Sequence, residues 1–100
     1  MVGRLSIGKA VPGRRQEIIR LYQALDEALR RYDGYIASCI FTDPEDPNEV
    51  GRLSLWRSLA EADRPTRDNH IVALRSQIHV LLQAGHTEKI VEIASSVNLS

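Results

Sequence analysis

Three residues that could do chemistry occur at alternate positions in one strand-like stretch, RLSLW. Side chains alternate along a strand, so Arg52, Ser54 and Trp56 should lie on one face and the two leucines on the other. An aromatic plane such as Trp56 could stack on a ligand ring, and an arginine could contact an anion or a quinone oxygen. The alternatives are core or dimer-interface packing for Trp56 and, for Arg52, snorkelling or an ion pair between subunits, for example with Glu92 of the last strand.

The histidines and the single cysteine could take part in proton transfer, metal binding or disulfide formation. An imidazole can take or hold a proton near neutral pH, so His70 could contact a substrate, or it could only help the last helix to begin. His70 and His79 are nine residues apart, which at about 100° per residue places them on opposite sides of one helix. His86 lies beyond Gly85, so we predict no metal site. Cys39 is the only cysteine, so the chain cannot form an internal disulfide. We predict that it is a small buried strand residue.

Composition limits the remaining possibilities. The chain has 100 residues, enough for one domain, and its 13 basic and 13 acidic side chains give a formal charge of zero. The long-range field that attracts nucleic acid is therefore missing. No apolar run reaches the length of a signal peptide or of a bilayer span. We predict a cytoplasmic protein with neither a nucleic-acid nor a membrane partner.

The spacing of apolar residues predicts the elements that must position these side chains. Apolar positions at intervals of three and four indicate helices, and short stretches rich in β-branched and aromatic residues indicate strands. Ser58 and Glu61 have the spacing of a capping box. The predicted elements are a strand over 2–11, a helix over 14–32, a strand over 35–41, a loop over 42–49, a strand over 50–56, a short helix from Ser58 interrupted at Pro65, a longer helix from about 71 to Gly85, and a strand over 89–94.

This order is βαββαβ, the split βαβ or ferredoxin-like arrangement. It places four antiparallel strands in one layer and the helices across one face. Neither face of the second strand is polar enough for solvent, and leaving several large apolar groups in water costs roughly 1.5–3 kcal/mol each. We therefore expect a second copy of the chain to cover the open face, giving a homodimer.

Several short motifs resemble those of the antibiotic biosynthesis monooxygenase family. They are the Pro-Gly before the first helix, the Asp-Gly before the second strand, the loop DPEDPNE, and LSLWRS leading into a helix. The resemblance covers nearly the whole chain and implies a single family domain over 1–100 that forms a dimeric α+β barrel. It also implies an activity, since family members include cofactor-free oxygenases of quinols and anthrones as well as haem-degrading enzymes.

The resemblance also assigns roles residue by residue. Trp56 matches the family tryptophan at the end of the third strand, and His70 matches a histidine early in the last helix. Ser54 stands where the family often has Glu, and Arg52 where some of its oxygenases have Asn. Haem degradation is disfavoured, because the iron-ligating histidine of those relatives would fall near Arg75, and arginine does not ligate iron as imidazole does.

The function that the resemblance implies is a cofactor-independent monooxygenase acting on a small aromatic quinol-like or anthrone-like substrate. His70 would accept the proton, Arg52 would stabilise the anion, and Trp56 and Ser54 would bind the substrate, with no cofactor and no metal. The alternative is a non-catalytic dimeric ligand-binding or accessory protein of the same fold. The departures at Arg52 and Ser54 favour that alternative.

Overall fold

One antiparallel sheet with helices on one face makes up the protein. The computed structural model describes residues 1–98. The strand order is β2-β3-β1-β4, which confirms the predicted βαββαβ fold class. The elements are β1 (Val2–Lys9), α1 (Arg15–Leu29), β2 (Tyr35–Asp43), β3 (Asp46–Trp56), α2 (Leu59–Asp63), a 3₁₀ turn (Arg64–Arg67), α3 (Asn69–Leu81) and β4 (Thr87–Glu92).

Side-chain caps fix where the two helices after β3 begin. Ser58 accepts a hydrogen bond from the backbone N–H of Glu61 at 3.3 Å, and its hydroxyl donates to the Glu61 carboxylate at 2.9 Å. The predicted start of a short helix is therefore confirmed. Asp68 caps α3 by accepting from the backbone N–H of His70 at 2.8 Å. Among the helices of residues 1–98, none combines the length and apolar composition needed to cross a bilayer.

The hairpin between β2 and β3 differs from the predicted loop over 42–49. Only Pro44 and Glu45 lie between the strands, and the rest of the segment belongs to the sheet. Thr42 pairs with Val50 and Asp43 with Asp46, so residues 47–49 form a bulge on β3. A bulge accommodates a proline, which has no N–H to donate, and for this reason the second proline does not end the strand.

The helix face of the sheet holds the core. Four residues of α1 at intervals of three and four are buried there, as are three of α3: Ile18, Tyr22, Leu25, Leu29, Ile71, Leu74 and Ile78. Trp56 is 1% exposed and packs edge-on against the ring of Tyr35, with centroids 5.4 Å apart. Each fully buried side chain of this size contributes about 1.5–3 kcal/mol, so α1 and α3 are held firmly against the helix face of the sheet.

The opposite face of the sheet is apolar and has no helix over it in residues 1–98. Leu5 pairs with Leu53 and Phe41 lies against Gly51 on this face. A Cβ atom on Gly3 would come within 3.0 Å of Val91, so the strands pack closely here. Cys39, opposite Leu53, is exposed in the single chain, and the prediction that it is buried there is wrong.

Candidate functional site

A cavity of about 370 Å³ lies between the helix face of the sheet and the helices. This volume is typical of a site for a small organic ligand. Its floor is formed by alternate residues of β3 and β1, and its walls by α1, α3 and β4. The cavity combines apolar packing with several charged and hydroxyl groups, and these groups decide what it can bind.

Arg52, Ser54 and Trp56 form the centre of the floor. All three line the cavity, as the alternation of side chains along β3 predicts. The indole Nε1 of Trp56 donates to Ser54 Oγ at 3.1 Å, and Ser54 is fully buried. This hydrogen bond fixes the orientation of the indole, so one face of the ring system has a defined position beside the cavity.

Arg52 is held by a carboxylate from the first helix. Its Nε donates to Asp26 Oδ1 at 2.6 Å, and its side chain is only 8% exposed. Glu92 is not the partner of Arg52 within one chain, because it lies opposite Val2 on β4 and is exposed, and its role between subunits stays a prediction. Within residues 1–98 the Nη2 of Arg52 is buried and has no hydrogen-bond partner. Leaving such a donor unsatisfied costs roughly 1–3 kcal/mol or more, which a ligand oxygen would recover.

Tyr22 places a phenol group in the cavity. Its hydroxyl lies 3.4 Å from Ser6 Oγ across the space between α1 and β1. Burial raises the pKa of Tyr22, and the hydrogen bond with Ser6 offsets this only in part. The phenol therefore stays protonated at neutral pH and can donate a hydrogen bond to a ligand oxygen.

His79, and not His70, borders the cavity. The two lie on opposite sides of α3, as their spacing predicts, and both are exposed, but only His79 is among the residues of the described chain that line the cavity. His79 is four residues after Arg75, so the two follow one edge of the helix, and both line the cavity. The ring of His79 also packs edge-on against His86, with centroids 4.6 Å apart.

Sequence reasoning did not identify Tyr22 or His79 as site residues. Tyr22 counted only as an apolar position of α1, although a tyrosine hydroxyl on a buried stripe needs a polar partner. His70 was preferred because it matches the family histidine, and His79 lies on the opposite side of the same helix. The apolar stripe formed by Ile71, Leu74 and Ile78 could have located the inner face of α3, beside which His79 lies.

The family model for antibiotic biosynthesis monooxygenases matches residues 8–76. The chain belongs to this family. The matched segment contains the three floor residues and His70 but ends before His79. The match to the antibiotic biosynthesis monooxygenase family therefore gives no information on the last residues of α3 or on β4.

Solved structures similar to this chain share its fold at low sequence identity. The SnoaB protein of Streptomyces nogalater, described as a cofactor-independent oxygenase, has a TM-score of 0.85 at 9% identity, over 97% of this chain and 96% of that protein. Rv0793 of Mycobacterium tuberculosis has a TM-score of 0.83 at 18% identity, over 97% and 98%. A conserved protein of Methanosarcina mazei Go1 has a TM-score of 0.82 at 19% identity, over 90% and 89%. No functionally curated protein matches the sequence.

Proposed function

We propose that this protein is a cofactor-independent monooxygenase that oxidises a small aromatic quinol-like or anthrone-like molecule. The observation that carries the proposal is the buried, unpartnered Nη2 of Arg52 on the floor of a cavity that also presents Trp56. Membership of the antibiotic biosynthesis monooxygenase family supports it, as does the shared fold of SnoaB, which is described as a cofactor-independent oxygenase.

The reaction requires only two things of the protein: a cavity shielded from water and a group that accepts a proton from the substrate. Once a proton has been removed from an electron-rich aromatic substrate, the resulting anion reacts with dioxygen directly. In an anthrone, the methylene carbon becomes a carbonyl: one oxygen atom enters the product, and the other leaves as water with the two methylene hydrogens. Electrostatic stabilisation of the aromatic anion is then the main contribution that a preorganised site can make.

The cavity residues divide these tasks. Trp56 stacks on the aromatic ring, held by its hydrogen bond to Ser54. The Nη2 of Arg52 and the phenol of Tyr22 donate hydrogen bonds to the oxygen on which charge develops. His79 is the proton acceptor, because it lines the cavity and His70 does not. The family resemblance gives the role of proton acceptor to His70. That role stays a prediction, which the variant His70→Ala tests.

We also propose that the protein functions as a homodimer. Two copies stacked sheet on sheet would cover the apolar open face, including Leu53 and Val91. Sedimentation equilibrium at micromolar concentration should report a mass of two chains. Leu53→Glu on the open face should shift the protein to monomer, whereas Leu59→Glu on exposed α2 should not. A well-folded wild-type monomer would contradict the stacked arrangement.

Trp56 gives a direct binding signal, because it is the only tryptophan in the chain. Planar aromatic ligands that enter the cavity should quench its fluorescence in a saturable manner. Trp56→Phe should weaken that binding, measured by calorimetry, while the variant remains folded. Unchanged emission with every such ligand would assign Trp56 to packing alone.

Oxygen consumption with a panel of quinols and anthrones tests the proposed function. The assay is run in buffer containing a chelator, with the heat-denatured protein as the control for autoxidation. At least one substrate should show a rate proportional to the amount of native protein. Saturable binding without oxygen uptake would instead support the non-catalytic binding protein, for which the departures at Arg52 and Ser54 are the evidence.

A further inference from the structure

The lining of the cavity is strongly cationic. Arg4, Arg52 and Arg75 line it, and Glu88 is the only acidic residue among the lining residues of the described chain. The complete chain, by contrast, has equal numbers of basic and acidic side chains. Positive charge is therefore concentrated around this cavity, and such a concentration favours an anionic ligand.

The three arginines converge on one part of the floor. Arg4 pairs with Ser54 and Ser6 pairs with Arg52, so Arg4 and Arg52 are diagonal neighbours on the helix face of adjacent strands. Arg75 approaches from α3. Burial lowers the pKa of Arg4, and the positive charge of Arg75 lowers it further, as expected of two cations held close together.

The carboxylates near these arginines leave some of the guanidinium groups without a close hydrogen-bond partner. Asp26 takes the Nε of Arg52 and leaves Nη2 unsatisfied. Asp63 accepts from Nη1 of Arg4 at 3.2 Å from outside the cavity, where its side chain is 55% exposed. The Nη2 of Arg75 is 3.9 Å from Glu88 Oε1, which is too long for a hydrogen bond.

We propose that the ligand of this cavity carries a carboxylate, which sits among Arg4, Arg52 and Arg75 while the aromatic part lies against Trp56. Guanidinium groups recognise a carboxylate through short, charge-assisted hydrogen bonds, and two oxygens can serve more than one arginine. The inference rests on the proposed function for the same site and narrows its substrate class to aromatic acids.

Calorimetric titration with 2-naphthoate and its uncharged analogue 2-naphthamide tests this inference. The two probes have the same rings and differ in the charge of one group. The acid should bind at least about tenfold more tightly than the amide. Arg75→Gln and, separately, Arg4→Gln should reduce that preference to about threefold or less. Arg20→Gln, on the exposed surface of α1, is the matched control and should leave the preference unchanged.

Equal affinities, no measurable binding of the acid, or a preference that survives both arginine variants would overturn the inference. Neither probe has a hydroxyl group that could be oxidised to a quinone, so the result does not depend on turnover. Acid-selective binding in a protein that consumes no oxygen would contradict the proposed oxygenase activity and leave the carboxylate site standing. Oxygen uptake with equal binding of acid and amide would support the oxygenase activity and contradict the carboxylate site.

Discussion

His79→Ala should lower kcat by roughly 10²–10⁴-fold, the range expected when a general base is removed. His79 borders the cavity and lies on the surface side of α3, so its loss should leave the fold and the oligomeric state unchanged. Steady-state oxygen uptake measures the change in kcat, and sedimentation of the variant checks its oligomeric state.

His70→Ala is the matched control for this result. It changes the same residue type on the same helix, and the Asp68 cap that His70 takes part in uses its backbone N–H and not its imidazole. We expect a rate within about twofold of the wild type, since general-base catalysis requires the base to reach the substrate proton. A large loss in His70→Ala with none in His79→Ala would reverse the assignment and restore the role that the family resemblance implies.

Asp26→Ala should destabilise the protein by about 3–5 kcal/mol, because it leaves the Arg52 cation buried without its partner. Chemical denaturation measures the change. Glu27→Ala, one residue along α1, is the control: its ion pair with Arg30 is exposed on both sides, and such pairs are worth about 1 kcal/mol or less.

Replacing both members of the pair separates stability from function. The double variant Arg52→Met with Asp26→Leu should be about as stable as the wild type, because a well-packed apolar pair often replaces a buried ion pair without loss. It should nevertheless lose most of its oxygen uptake, since only the neutral phenol of Tyr22 then donates to the developing anion. Wild-type activity in a stable double variant would show that Arg52 has only a structural role.

The sequence predicted the fold well because the fold depends on patterns that are local. The three-and-four spacing in α1, the Ser58 cap and the alternation in β3 each report on a few neighbouring residues. The hairpin was predicted less well, because composition cannot distinguish a loop from a bulge that accommodates a proline.

The candidate site was only partly predictable for a related reason. Alternation alone places Arg52, Ser54 and Trp56 on one face, and the cavity confirms that they lie together. The partner of Arg52 depends on how α1 crosses the sheet, which no local pattern reports, so Asp26 was missed. His70 was chosen over His79 because the family motif names a position in the chain, whereas the rotation of α3 decides which side chain borders the cavity.

The most direct test of the proposed oxygenase is the fate of labelled oxygen gas in a metal-chelated reaction with an anthrone or quinol that the protein consumes. Mass spectrometry of the product should find one labelled atom per molecule, at a rate that depends on native protein, with the second atom recovered in water. Label incorporation at the same slow rate with and without the native protein, or product oxygen that comes from the solvent, would contradict the account.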